Sequence, residues 1–189
     1  MARESFRLRA GFALAALLAA GPLLATDYVQ APGSALTFAT KYQGEVFTGT
    51  LPGFVTRLRF DPARLVEARL DVTIPLAGVS IDNPDGTETL KSADFFNVAR
   101  FPQARFESTR FRSLGGARYA ADGTLTLRGA SRPVTLEFTW TPGARPQLAG
   151  RATVKRLDFG VGGGDWADTA LIPNEVAVST RVLLVPAKK

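Results

Sequence analysis

The stretch Gly123-Thr-Leu-Thr-Leu-Arg-Gly-Ala-Ser-Arg-Pro-Val-Thr-Leu-Glu-Phe-Thr-Trp140 predicts two β-strands joined by a turn. Leu125 and Leu127 alternate with polar residues in the first strand, and every second residue from Val134 to Trp140 is apolar. Because successive side chains of a strand point to opposite faces, each strand has one apolar and one polar face. We assign the turn to Gly129–Pro133, which places the proline at a strand start. Such a hairpin needs further strands to cover its apolar face.

The same alternation recurs along the chain and predicts eight strands. They cover residues 28–42, 45–60, 68–79, 103–114, 118–128, 132–141, 147–155 and 175–185. Pro52-Gly53 interrupts the second strand and predicts a bulge or a sharp bend. Asn83-Pro84, between the third and fourth strands, predicts a short helix, with Asn as N-cap and Pro in the first helical position. This pattern is typical of an all-β up-and-down barrel or of a sandwich.

The composition excludes several kinds of site. The chain has 189 residues, no Cys and no His, and its one Met is Met1. Nucleophile systems that depend on His or Cys, zinc sites built from these residues, and disulfides are therefore excluded. A metal would need oxygen ligands.

The N-terminus has the pattern of a secretory signal peptide. Arg3, Arg7 and Arg9 precede an uncharged apolar run of 16 residues that ends at Ala25. We predict a signal peptide over residues 1–25, one domain over residues 26–189 and a periplasmic location. The alternative is a retained membrane anchor, but a spanning helix needs about 20 apolar residues.

Cleavage after Ala25 would lower the net charge from +6 to +4. A mildly basic mature protein favours solubility and is compatible with transient contact with anionic membrane surfaces. The basic residues are spread over the strands rather than clustered, which argues against nucleic acid as a partner.

Three weaker signals point to other chemistry. The glycines between residues 160 and 164 suggest a phosphate loop, but neither a helix nor a Lys follows them. Asp158, Asp165 and Asp168 offer oxygen ligands for calcium, although their spacing differs from that of an EF-hand. Two carboxylates across a cleft would suit glycoside hydrolysis, but nothing in the sequence pairs any two acids. The pairs considered are Asp94 with Glu107 and Asp71 with Glu137.

Aromatic residues are the remaining feature. The chain has thirteen Phe, three Tyr and two Trp, largely at alternate strand positions. They either fill a solid core or line a pocket, because an eight-stranded barrel is just wide enough for its own side chains or for one small ligand. Phe95, Phe96 and Phe101 lie in the long segment between the third and fourth strands. They either close one end of the core or form a lid over a cavity.

Several segments resemble the YceI-like family of exported bacterial proteins. Besides the hairpin, they are residues 34–38 (SALTF), 90–106 (LKSADFFNVARFPQARF), 156–160 (RLDFG), 164–166 (GDW) and 174–176 (NEV). The resemblance covers about residues 28 to 186. It implies a lipocalin-like antiparallel barrel with a long hydrophobic lumen that holds a polyisoprenoid, an isoprenoid quinone-like molecule or a fatty-acid-derived amphiphile. It also implies a binding protein rather than an enzyme, with no cofactor besides such a bound amphiphile.

Candidate ligand-binding residues follow from the inward strand faces. They are Phe38, Tyr42, Phe54, Leu58, Phe60, Val72, Ile74, Phe106, Leu125, Leu127, Leu136, Phe138 and Trp140. Phe95, Phe96 and Phe101 are lid candidates, and Trp166 is a candidate for the mouth. We expect a periplasmic carrier of a small hydrophobic ligand, as a monomer or a homodimer. Two alternatives stay open: a structural or interaction protein of the cell envelope with a solid core, and, less expected without His and Cys, an enzyme acting on a lipid or a sugar.

Overall fold

The computed structural model describes residues 25–188. The strands are β1 (Thr26–Gln30), β2 (Ala35–Tyr42), β3 (Glu45–Thr50), β4 (Val55–Phe60), β5 (Arg69–Pro75), β6 (Ser80–Ile81), β7 (Gln103–Gly115), β8 (Arg118–Leu127), β9 (Ala130–Thr141), β10 (Gln147–Lys155) and β11 (Glu175–Pro186). The described residues also form the helix α1 (Pro84–Lys91) and three short 3-10 turns. Apart from Ala25, the predicted signal peptide lies outside the described residues.

The strands form a closed antiparallel barrel. Each of the pairs β1/β2 and β3/β4 acts as one bent strand, so that eight strands surround the interior in the order β1/β2, β3/β4, β5, β7, β8, β9, β10 and β11. The ring closes where β1 pairs with β11, for example Tyr28 opposite Pro186. The short strand β6 pairs with β3 outside this ring. The predicted eight-stranded barrel is therefore confirmed, and the sandwich is not formed.

The two bent strands turn where Pro and Gly interrupt the ladder. Pro52-Gly53 separates β3 from β4 as predicted, and Gly53 has a φ of +74°. The strand predicted over residues 28–42 is also divided, because Pro32 has no N–H to donate and Gly33 adopts a φ of +91°. The third predicted strand ends early, at Pro75, and the chain then leaves the barrel.

The turn of the β8–β9 hairpin differs from the prediction. It consists of Arg128 and Gly129 alone, with φ values of +50° and +78°, and β9 already begins at Ala130. Two residues with positive φ fit the twist of a tight hairpin. The prediction overlooked this turn because arginine rarely adopts a positive φ.

The predicted short helix is confirmed as α1. Asn83 caps it, since its Oδ1 accepts a hydrogen bond from the N–H of Gly86 at 2.9 Å, and Pro84 occupies the first turn. Within residues 25–188, no helix is long and apolar enough to cross a membrane.

One end of the barrel is filled by aromatic rings, which we call the aromatic cluster. Its members are Tyr28, Phe60, Phe111, Tyr119, Phe138 and Trp140. The ring of Phe60 lies at its centre, 5.0 Å from Trp140 and 5.1 Å from Tyr119 between centroids. Edge-to-face and tilted contacts at these distances are favourable for aromatic pairs. The half of the barrel around this cluster is therefore a solid core.

A charged network on the outer surface joins β7, β8 and β9. The Asp122 carboxylate accepts hydrogen bonds from Arg112 at 2.8 and 2.9 Å, from Arg110 at 3.0 Å and from the Thr135 hydroxyl at 2.9 Å. These donors, the Arg112 guanidinium above all, hold the pKa of Asp122 well below its usual range. The network therefore stabilises the barrel wall as long as Asp122 is ionised.

Candidate ligand-binding cavity

The other half of the barrel contains a cavity. The volume of this cavity is about 200 Å³. The cavity lies between the aromatic cluster and two segments that cover the opposite end of the barrel. We call these the first cap segment, residues 76–102, and the second cap segment, residues 156–174. Almost all of the cavity surface is apolar, so the site suits a hydrocarbon chain rather than a polar molecule.

Both cap segments contribute to the cavity wall. Leu90, Phe95 and Phe96 come from the first cap segment, and Val161 and Ile172 come from the second. Phe95 and Phe96 therefore lie over the cavity, as expected of a lid. The solid core, at the far end of the barrel, is formed by the aromatic cluster and not by these two residues.

The two cap segments are tied to each other. The N–H of Gly162 donates to the carbonyl of Asp94 at 2.8 Å, and the rings of Phe95 and Trp166 are 5.4 Å apart in an edge contact. Arg128 binds both segments from the β8–β9 turn, because its guanidinium donates to the carbonyls of Ala93 and Gly160. This double contact explains why an arginine occupies a turn position with positive φ.

Arg156 holds the second cap segment together. It is buried, with 4% of its surface exposed, and it lines the cavity. All five of its N–H groups donate to backbone carbonyls. The acceptors are Val161 and Gly162 for Nη1, Trp166 and Ile172 for Nη2, and Pro173 for Nε. Burial lowers the pKa of Arg156, since the charged form is removed from water. The carbonyls compensate this cost, and the guanidinium has no donor left for a ligand.

Most of the predicted site residues lie along the cavity. They are Phe38, Phe54, Val72, Ile74, Phe95, Phe96, Phe106, Leu125, Leu127 and Leu136. They come from five barrel strands, the bend between β3 and β4, and the first cap segment, and on the strands the alternation of inward and outward residues brings them together.

The other predicted residues lie elsewhere. Phe60, Phe138 and Trp140 belong to the aromatic cluster, and Leu58 is buried one inward position above Phe60 on β4. Tyr42 is 40% exposed at the tip of the β2–β3 hairpin. Phe101 packs against Gly129 of the β8–β9 turn, and Trp166 makes an edge contact with Phe95 within the cap. Sequence alternation predicted which side of a strand faces inward but not the level at which the solid core ends.

The predicted residues leave out much of the cavity lining, and two of these omissions are informative. On β10 and β11, Val154, Val176, Val178 and Val182 line the cavity. Their alternation with polar residues was a usable signal. Arg156 gave no such signal, because a charged residue after a strand is normally solvent-exposed.

Three threonines, Thr40, Thr56 and Thr180, line the cavity, and the Thr180 hydroxyl donates to the carbonyl of Ala35. Among the residues that the structure describes, Oγ1 of Thr40 and Oγ1 of Thr56 find no hydrogen-bond partner. Both oxygens are buried, and hardly any polar atom reaches the cavity surface. The cavity wall is therefore apolar even at the threonine positions.

The alternative sites look different in the structure. Within residues 25–188, no three acidic side chains are grouped so that they would hold a metal ion. Asp71 binds Arg105 on the outer surface of the barrel, and Glu137 lies 3.8 Å from Arg118. These two acids thus belong to separate ion pairs.

Comparison with known proteins agrees with this architecture. The model of the YceI-like domain family matches residues 28–184. A UPF0312 protein of Serratia proteamaculans is 33% identical over 159 residues, which cover 78% of this chain and 82% of the relative. A UPF0312 protein of Azotobacter vinelandii is 31% identical over 157 residues, covering 77% and 82%.

Solved structures share the fold. BcnA of Burkholderia cenocepacia superposes with a TM-score of 0.76 at 28% identity, covering 79% of this chain and 95% of BcnA. A polyisoprenoid-binding domain of Saccharophagus degradans, implicated in plant cell wall breakdown, gives 0.63 at 16% identity, covering 86% and 99%. With a family model that spans nearly the whole described chain and relatives above 30% identity, this protein belongs to the YceI-like family.

Proposed function

We propose that this protein is a periplasmic carrier that binds one hydrophobic amphiphile in its barrel. The proposed ligand is a polyisoprenoid, an isoprenoid quinone-like molecule or a fatty-acid-derived compound. The observation that carries the proposal is the cavity with its nearly uniform apolar wall. The name of the Saccharophagus degradans domain, a structural relative, supports the same ligand class.

The length of the cavity limits the buried part of the ligand. Its lining on β11 runs from Val176 to Val182, six residue steps or about 20 Å of strand. At a strand tilt of about 40° this corresponds to about 15 Å along the barrel axis. With carbon–carbon bonds of about 1.5 Å in a zigzag, about twelve chain carbons fit. Three isoprene units have a main chain of this length.

Burial of such a chain provides enough free energy for binding. At about 0.8 kcal/mol per buried CH₂, twelve carbons contribute roughly 10 kcal/mol before costs. Ordering of the chain and loss of its translational freedom reduce this gain. A dissociation constant in the micromolar range, which corresponds to about −8 kcal/mol, is therefore expected without any ionic contact.

A structural or interaction protein with a solid core is the alternative, and the cavity argues against it. To distinguish the two, we would purify the protein from a bacterial periplasm and record native mass spectra before and after organic extraction. The proposal predicts a polypeptide of residues 26–189 with a bound prenyl or acyl compound that extraction removes. A bare polypeptide that takes up no offered amphiphile would overturn it. Protein that retains residues 1–25 and is missing from the periplasmic fraction would refute the export part alone.

A matched pair of variants on β10 sharpens this test. Ala152 faces the cavity, and Ala149 is three residues away on the outward face. Ala152→Phe should fill part of the cavity and abolish uptake, whereas Ala149→Phe should leave uptake unchanged. Equal binding by both variants would mean that the ligand lies outside the barrel.

A further inference from the structure

The wall of the cavity has a gap between β9 and β10. In the described structure the two strands pair from Thr141 opposite Gln147 up to Glu137 opposite Arg151, and the pairing stops there. Both strands continue towards the cap. β9 stays paired with β8 as far as Ala130, and β10 stays paired with β11 as far as Lys155. We call the gap between residues 130–136 of β9 and residues 152–155 of β10 the slit.

The slit opens on the cavity itself. Val134 and Leu136 line the cavity from one side of it, and Ala152 and Val154 line it from the other. Its upper end is bounded by the 3-10 turn Arg156–Phe159, which contacts β9. The inward side chains on both edges of the slit are therefore apolar and belong to the cavity wall.

The sequence keeps the slit unpaired. Leu127 and Ala130 flank a two-residue turn and form a hydrogen-bonded pair. By alternation, the backbone polar groups of Pro133 and Thr135 point away from β8 and into the slit. Pro133 has no N–H, and a proline on a free strand edge hinders pairing with another strand.

We propose that the slit is the passage by which the hydrocarbon tail of the ligand enters and leaves the cavity. This inference rests on the proposed function. The tail slides sideways between β9 and β10, and the polar head stays outside. The backbone groups of Thr135 and Thr153 and the ammonium group of Lys155 surround the head. The matching ligand class is a single-chain amphiphile whose head carries hydrogen-bond acceptors, such as a carboxylate, a phosphate or a carbonyl.

The alternative passage, through the cap, is more costly. Lifting the second cap segment would break three hydrogen bonds to the rest of the protein: Gly162 to Asp94, Gln43 to Leu171 and Arg128 to Gly160. It would also separate the rings of Phe95 and Trp166, and polar groups that lose their partners cost free energy. Passage through the slit breaks no backbone hydrogen bond of the β9–β10 ladder, because none is formed there.

A cross-link across the slit tests the proposal. The chain has no Cys, so the double variant Thr135→Cys/Thr153→Cys carries the only two thiols. Each position is two residues beyond the last pair, Glu137 with Arg151, and each side chain points outward. A short bis-maleimide then spans the slit, and mass spectrometry measures the extent of cross-linking. The control is Thr139→Cys/Ala149→Cys, a register pair of the same strands below the slit.

Uptake and release of cis-parinaric acid, a fluorescent fatty acid, are followed by stopped-flow fluorescence. We expect the slit cross-link to slow uptake by at least ~10-fold, as blocking a gate does, and to trap ligand bound beforehand. The control cross-link should leave both rates unchanged. Wild-type rates in the slit-cross-linked protein would overturn the slit and point to the cap. Failure of the unmodified protein to bind any apolar probe would instead overturn the proposed function, and the inference with it.

Discussion

Replacement of Arg156 by Met would test whether this side chain holds the second cap segment. Met has a similar length but no donor, so the five backbone carbonyls that Arg156 now binds would lose their partner. Hydrogen bonds to charged groups contribute roughly 1.5–3 kcal/mol each. The sum of these contributions overestimates the loss of stability. The substitution also removes the cost of burying the guanidinium, and the cap segment can relax so that water reaches the freed carbonyls.

A buried carbonyl left without a donor costs about 1–3 kcal/mol, and because several of the five can relax towards water, we expect Arg156→Met to lose about 3–5 kcal/mol in total. For a domain of this size the melting temperature should then drop by roughly 6–20 °C. Arg156→Lys keeps the charge but has three donors for five carbonyls, so it should lose about half as much. The exposed Arg151, on the preceding strand β10, is the control and should change stability by less than about 0.5 kcal/mol when replaced by Met.

The assay is urea unfolding followed by the fluorescence of Trp140 and Trp166, together with thermal melting by circular dichroism. Trp166 reports on the cap, since its own carbonyl accepts from Arg156 at 2.9 Å. An Arg156→Met variant within 1 kcal/mol of the wild type would refute the reasoning. If Arg156→Lys were as stable as the wild type, the positive charge would matter but the full set of five hydrogen bonds would not.

Three further changes have defined outcomes. Phe60→Ala should lower the free energy of unfolding by about 3–5 kcal/mol and extend the cavity into the aromatic cluster. Native mass spectra should then show longer bound chains than in the wild type. An unchanged chain length would show that the cluster does not form the floor of the cavity. Asp122→Asn should destabilise the protein at neutral pH. Because the pKa of Asp122 is depressed in the folded state, the difference in urea midpoint between the wild type and the variant should shrink as the pH falls below about 4. A difference independent of pH would contradict the assigned role of the carboxylate. Thr56→Val removes a buried hydroxyl without a partner among the described residues and should stabilise the protein by about 1 kcal/mol, as measured by urea unfolding; a destabilised variant would reveal a bond to this hydroxyl.

The barrel was predictable because its information is local. Alternation along residues 123–140 and along the other strands defined which side chains face inward, and Pro52-Gly53 marked a bend that the structure contains. The cap of α1 by Asn83 was likewise readable from two adjacent residues. Where a local rule failed, a distant contact had overridden it. Arg128 adopts a positive φ while its side chain binds Ala93 and Gly160, more than 30 residues away.

The cavity was predictable only in part. Phe54 and Phe60 share a face of one predicted strand, yet Phe54 lines the cavity and Phe60 fills the aromatic cluster. Strand alternation has a period of two and carries no information on depth along the barrel axis. Depth depends on which side chains meet across the interior, which is a property of several strands at once.

The amino-acid sequence by itself therefore determined the strands, their inward faces, the short helix and the absence of His and Cys chemistry, because all of these depend on residues close together in the chain. Tertiary structure alone decided the rest: the boundary between solid core and cavity, the burial of Arg156 among five carbonyls, and the slit between β9 and β10. Each of these depends on how several segments pack together, and there the packing of the whole barrel outweighs any local preference.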